Sequence, residues 1–210
     1  SQEHLRLTGE AVRSLLHRDI VTFLVLGLVS FTAFRAAQIY LPLLMTELGG
    51  TSGHLGLAMG VMAGSEVPFM IVAGLLLLKV RDVHVLAFAY GMFVVRIGAH
   101  VLAPDPNWLV AAQVIQGLCF GLYLPASVHF LDRLAAPGTK TLAQTLGSVL
   151  TFGVGSISAS WAGGIAIEQF GVVNMFRIAT ALMAVAFVGF IVLFRHRLGN
   201  PALLSRSGAN

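Results

Sequence analysis

The chain has 210 residues, 57% of them hydrophobic and only 10% charged, with a mean hydropathy of +0.86. Soluble domains carry about 25% charged residues, so this composition excludes an ordinary water-soluble domain and points to an integral membrane protein. The formal charge of +4 and pI of 9.8 could suit a nucleic-acid binder, but the placement of the basic residues argues otherwise, and a single cysteine, Cys119, excludes an internal disulfide and a cysteine metal cluster.

Residues 1–19 form a polar, basic lead-in. Arg6, Arg13 and Arg18 alternate there with Leu5, Leu7, Val12, Leu15 and Leu16 at roughly helical spacing, which predicts a short amphipathic helix on a cytoplasmic membrane surface. The opening Ser-Gln-Glu-His-Leu-Arg is too polar for a cleavable signal peptide. A chain that does not begin with methionine is expected to be a piece of something longer. Six apolar runs follow, at about 20–46, 54–78, 83–103, 108–131, 142–167 and 172–194, each near the ~20 residues that a spanning helix needs. The connections, such as Gly49-Gly-Thr-Ser-Gly53, Ala103-Pro-Asp-Pro106 and Ala135-Ala-Pro-Gly138, are short and rich in turn formers. Lipid offers the backbone no hydrogen bonds, so runs without β alternation must be helices. The expected architecture is a six-helix transmembrane bundle over 20–194 with a tail over 195–210.

Charge placement predicts the topology. Of the 13 Lys and Arg residues, ten fall outside the runs: Arg6, Arg13, Arg18, Lys79, Arg81, Arg133, Lys140, Arg195, Arg197 and Arg206. All ten lie in the N-terminal segment, the second and fourth connections, or the C-terminal tail. Glu47, Asp105 and Glu168 hold or border the other three. The positive-inside rule then places both termini in the cytoplasm of a multi-pass protein of the plasma (inner) membrane. Topology accounts for the basic pI, and no nucleic-acid partner is expected.

Three basic residues remain inside runs. At about 1.5 Å per residue, Arg35 lies roughly 24 Å into the first run, Arg96 about 20 Å into the third, and Glu66 about 18–20 Å into the second from its opposite end. These charges share a central layer. Insertion costs about 2.5–3.5 kcal/mol for each such charge, so pairing is expected, with Glu66–Arg96 the first choice. A purely structural ion pair is the bland alternative. Arg177, close to the end of the sixth run, is expected to snorkel to the interface.

Polar and aromatic residues line faces around that layer. Gln113, Gln116, Phe120, Tyr123 and Ser127 follow helical spacing in the fourth run, Phe31, Arg35, Gln38 and Pro42 share a face in the first, and Arg96 and His100 stand one turn apart. Amides, a phenol and rings around a charged centre suit a polyhydroxylated or otherwise polar small molecule, with Arg35, Gln38, His100, Gln113, Gln116, Phe120 and Tyr123 as binding candidates. Each amide could equally serve helix–helix hydrogen bonding. Small residues at four-residue spacing mark expected close helix contacts: Gly56, Gly60 and Gly64 in the second run, Gly117 and Gly121 in the fourth, and Gly147, Thr151, Gly155, Ala159 and Gly163 in the fifth.

The stretch Gly60-Val-Met-Ala-Gly64-Ser-Glu66-Val-Pro68-Phe-Met-Ile-Val-Ala73-Gly74 resembles the eighth helix of sugar efflux transporters of the major facilitator superfamily. Met92-Phe-Val-Val-Arg96-Ile-Gly98 resembles the ninth helix of the related oligosaccharide–proton symporters, and Gln113-Val-Ile-Gln116-Gly117 and Phe120-Gly121 follow in the tenth. The resemblance implies an all-α, 3+3 inverted repeat of six helices, half of a twelve-helix transporter. It also implies partners: a preceding N-terminal six-helix half or a second copy, besides the bilayer and the solute. The implied activity is proton-coupled efflux of a sugar or similar solute by alternating access, driven by the proton gradient with no bound cofactor. Glu66 and Arg96 match residues that serve sugar binding and proton coupling in that group. The chain departs where the symporters' tenth helix carries a histidine and a glutamate; here stand Gln116 and Cys119, leaving Glu66 as the only central carboxylate. An amphiphile exporter of the same superfamily, an uncoupled channel or interaction module, and an intramembrane hydrolase are the alternatives. The last lacks a Gly-x-Ser-Gly stretch and an Asp pair, so no enzyme is expected.

Overall fold

The computed structural model describes residues 17–136 and 138–198. The surface helix expected within 1–16 lies outside the described residues, as does the tail beyond 198. Six helices are long and apolar enough to cross a membrane: α1 (Arg18–Ile39), α2 (Ser52–Leu77), α3 (Asp82–Val101), α4 (Pro106–Leu134), α5 (Lys140–Phe170) and α6 (Val172–Leu193). Their starts and stops follow the local chemistry. The Asp105 carboxylate accepts from the Trp108 N–H at 3.0 Å, with Pro106 in the first turn of α4. Thr51 and His54 form a capping box at the head of α2. Between α5 and α6 the turn is made by Gly171 at φ +83°, a conformation that glycine takes without strain.

The first run does not continue as one helix to residue 46. It breaks at Tyr40, ahead of Pro42, and resumes as a short separate helix, Leu41–Glu47. Tyr40 is put to use at the break: its hydroxyl donates to the Ser160 carbonyl of α5 at 2.6 Å, and its ring fills the space where a Cβ on Gly163 would lie.

Packing partners reveal an internal symmetry. α2 packs on α4, as α5 packs on α1; α3 packs on α4, as α6 packs on α1; α3 and α6 pack on each other. Exchanging α1–α3 with α4–α6 maps this pattern onto itself, as an inverted repeat requires. α1, α3, α4 and α6 hold an aromatic core that includes Phe23, Phe34, Phe93, Phe130, Phe176 and Phe190. α2 and α5, equivalent under the exchange, are the least covered, with 6% and 22% of their apolar windows buried. Leu57, Val67, Ile71 and Leu75 of α2 are all more than half exposed. In lipid this carries no hydrophobic penalty, so coverage must come from packing and polar contacts instead.

This corrects the glycine reading in part. Gly56, Gly60 and Gly64 meet nothing within 4 Å at the position of an added Cβ, so they form no helix contact among the described residues. Gly117, Gly121, Gly147, Gly155 and Gly163 do lie against neighbouring helices.

At one end of the bundle, the end carrying both limits of the described chain, ion pairs tie the helices together. Asp82 of α3 accepts from Arg133 of α4 at 3.2 Å, and Asp19 of α1 accepts from Arg197 Nε at 3.0 Å. Arg177 is exposed and donates to Asn174 at 2.9 Å.

Candidate functional site

The polar residues of the central layer meet where α4 abandons α-helical geometry. After Ala112 the backbone tightens through i→i−3 bonds at Gln113, Val114, Gln116 and Gly117, then widens into a π-helical stretch, Gly117–Gly121. Such bulges are frequent at functional sites because they re-aim side chains and loosen the ladder. Here the cause is visible. A Cβ on Gly117 would sit 2.4 Å from the Ser65 carbonyl oxygen and 2.3 Å from the Phe69 ring, and one on Gly121 would sit 3.0 Å from the Glu66 carbonyl oxygen. The backbones of α2 and α4 therefore touch at this point. Ser65 Oγ seals the contact, accepting from Gly117 N–H at 3.1 Å while donating to the Met62 carbonyl at 2.9 Å.

That contact brings Glu66 to Gln116. Gln116 Nε2 donates to Glu66 Oε1 at 2.8 Å, and Gln116 Oε1 is buried with no partner among the described residues. One turn away, the Gln113 amide is completely buried. Its Oε1 accepts from Arg96 Nη2 at 2.7 Å, and its Nε2 donates to the Leu109 carbonyl at 2.9 Å. An arginine can only donate, which fixes the orientation of this amide. Gln113 Nε2 must then be the donor to His100 Nε2, 3.0 Å away, placing the ring proton of His100 on Nδ1.

The expected Glu66–Arg96 ion pair is not formed. Two amides stand in its place: Gln116 on the carboxylate and Gln113 on the guanidinium. The physical reason is burial. Arg96 is wholly enclosed and lies with Cζ 5.7 Å from the Phe34 ring centroid, while Glu66 is only partly buried on the uncovered helix α2. Arg96 Nε and Nη1 have no hydrogen-bond partner among the described residues. His100 is likewise enclosed, edge-on to Phe176, and supports Gln113 instead of facing open space, contrary to its expected place among the solute contacts.

Arg35 takes a separate position. Its Nε donates to Ser156 Oγ of α5 and its Nη1 to Gln38 Oε1, both at 2.9 Å, and Gln38 Nε2 reaches Met62 Sδ of α2 at 3.3 Å. Arg35, Gln38 and Glu66 are all part-exposed, so they can contact a solute directly. Below this layer, Phe31, Phe120 and Phe152 pack mutually, with centroids 5.3–6.4 Å apart, and Tyr123 joins Phe31 at 5.2 Å. Phe120 is part-exposed whereas Tyr123 is buried. Ser65 and Ser156 are partners that the sequence pattern does not single out. The signal lay in their positions, each directly beside a four-residue small-residue ridge.

The model of the MFS_1 like family matches residues 3–178. Over 174 residues the chain is 35% identical to the maltose permease of Geobacillus stearothermophilus, a match covering 81% of this chain and 44% of that protein. It is 25% identical over 194 residues to the uncharacterized transporter YwbF of Bacillus subtilis (strain 168), covering 87% of this chain and 48% of the other. Among solved structures it resembles that of a peptide transporter, POT, in complex with sulfate. The TM-score is 0.72 at 17% identity, covering 90% of this chain and 42% of that one. The chain thus spans under half the length of each of these proteins.

Proposed function

The chain belongs to the MFS_1 like family of major facilitator transporters, and we propose that it forms the C-terminal half of a proton-coupled carrier for a sugar or similar small polar solute. Its six helices have the fold of one half of such a transporter, and its named relatives are transporters, which removes the hydrolase alternative. The observation that carries the proposal is the Glu66–Gln116 contact. Glu66 is the single carboxylate in the central layer among the described residues, it is part-exposed, and its partner is an amide that can be either donor or acceptor.

Gln116 can follow the protonation of Glu66. With the carboxylate ionised, Nε2 donates, as the structure has it, and Oε1 is left without a partner. Protonated Glu66 would donate, and a half-turn of the Gln116 amide would present Oε1 to accept. In either state one end of the Gln116 amide meets Glu66, so the carboxyl keeps a hydrogen-bond partner whether or not it carries a proton. Arg96, held by Gln113, supplies a fixed positive charge behind this switch. Arg35 and Gln38 offer donors and an acceptor to hydroxyl groups of the solute. A sugar fits this surface and agrees with the name of the maltose permease relative. The distribution of Lys and Arg supports a cytoplasmic side for both termini. Efflux is the direction that the resemblance suggests.

The test is Glu66→Gln in reconstituted vesicles. The variant should insert normally, lose accumulation driven by a pH gradient, and keep saturable counterflow of the solute. Accumulation driven by the pH gradient at the wild-type level would overturn the assignment. Passive, non-saturable flux in the wild type would instead indicate a channel.

A further inference from the structure

On the terminal side of the aromatic trio Phe31–Phe120–Phe152 lies a cavity, apart from the charged layer. It occupies about 110 Å³ between α1, α4 and α5, far more than the roughly 10–15 Å³ that one water requires. On α4, Ser127 lies about 16 Å beyond Gln116 at about 1.5 Å per residue, so this space is well removed from Glu66. Two glycines form its walls. A Cβ on Gly27 would point toward Thr151 Cγ2, at 3.4 Å, and the Tyr123 hydroxyl, at 3.8 Å, and a Cβ on Gly147 would meet Leu131 at 3.2 Å.

The lining is mixed and carries no charged side chain. Tyr123, Ser127, Ser148, Thr151 and Gln144 supply the polar atoms, and Phe23, Leu24, Leu124, Val128, Leu131 and Phe152 supply the larger, apolar part. Ser127 and Thr151 donate back to carbonyls of their own helix, Leu124 at 2.8 Å and Gly147 at 2.6 Å. Their free lone pairs therefore accept, which suits a solute rich in O–H donors. Gln144 spends its Nε2 on Asp132, leaving its Oε1 as another acceptor. An ion entering here would lose hydration with no opposite charge to meet it, whereas a neutral polyol would find acceptors on α4 and α5 and apolar side chains of α1 against its C–H faces.

We propose that this cavity is a second solute-holding site, selective for neutral hydroxylated molecules, on the terminal side of the aromatic layer. It deepens the transport reading and rests on it for its place along a pathway. The solute would pass from the Glu66 layer, where charge is available, across the aromatic trio to a site that offers uncharged acceptors among apolar side chains.

Val128 lines the cavity and is 40% exposed, whereas Cys119 is fully buried. Val128→Cys in the assembled native transporter therefore gives a maleimide target with Cys119 silent. Maltose at ten times its dissociation constant should slow labelling about ten-fold, and glucuronate should give no protection. The protection should vanish in Thr151→Val combined with Ser148→Ala, which removes acceptors at nearly constant volume, and should persist in Thr180→Val, which removes a hydroxyl of α6 outside the cavity. Absence of protection by maltose or glucose while counterflow of either is intact would overturn the site, as would equal protection by glucuronate or loss of protection in Thr180→Val. Protection without counterflow would leave the site standing and remove the transport reading, so the two failures are told apart.

Discussion

Gln113 shows how one side chain can decide the fate of a buried charge. It is the only hydrogen-bond partner of Arg96 among the described residues, and it simultaneously holds His100 and the Leu109 carbonyl. Gln113→Leu would leave a guanidinium enclosed with no acceptor. A hydrogen bond to a charged group contributes about 1.5–3 kcal/mol, and breaking a buried polar pair from one side costs about 3–5 kcal/mol. The variant should therefore melt earlier in detergent by a margin equivalent to about 2–4 kcal/mol. Arg96→Met added to Gln113→Leu should recover much of that stability without recovering transport, because an apolar pair no longer strands a charge. Equal stability of the single and double variants would show that Arg96 finds another acceptor.

Among the elements, α4 and α2 carry the opposite lesson about glycine. Gly117 has helix neighbours closer than any Cβ tolerates, whereas Gly60 has open space. Gly117→Ala should push α2 and α4 apart, break the Ser65–Gly117 bond and separate Glu66 from Gln116, costing stability and proton-driven accumulation together. Gly60→Ala should leave the bundle intact and raise its melting temperature slightly, since alanine favours a helix by about 1 kcal/mol over glycine. Thermal melts of the two purified variants give the comparison. The second π-helical stretch, Val149–Val154 in α5, lies beside the uncharged cavity, as the first lies beside Glu66. Both departures from α geometry thus occur in helices that border the proposed pathway.

For the whole molecule, the bare face of α2 calls for a partner. Among the described residues its glycine ridge meets no neighbour, and Leu57, Val67, Ile71 and Leu75 stay more than half exposed. Small-residue ridges are where membrane helices approach closely. We expect that ridge to meet the companion half of the transporter. Gly60→Cys, treated in the membrane with a short bifunctional thiol reagent against single cysteines in the companion half, should give an intramolecular cross-link. Cross-linked dimers of this chain alone would instead assign the face to a second copy.

Six spanning helices and their order were legible in the sequence, because the bilayer imposes length and apolarity on each span independently of its neighbours. Membership of the central layer was legible too, since rise per residue converts position into depth. Pairing within that layer was not. Glu66 and Arg96 share a depth, yet depth says nothing of rotation about the helix axis. The tight-then-wide distortion of α4 decides that rotation, and it arises from contact with α2 around Gly117. In the same way, a four-residue glycine spacing is equally visible in Gly56–Gly60–Gly64 and in Gly147–Gly155–Gly163, but only packing reveals that the first series is open and the second enclosed. The sequence by itself determined the membrane class, the number of spans and the charged layer, all one-dimensional consequences of the solvent. Tertiary structure decided which amide holds which charge, which glycines touch, and where an uncharged cavity opens, because those depend on how helices far apart in the chain are rotated against one another.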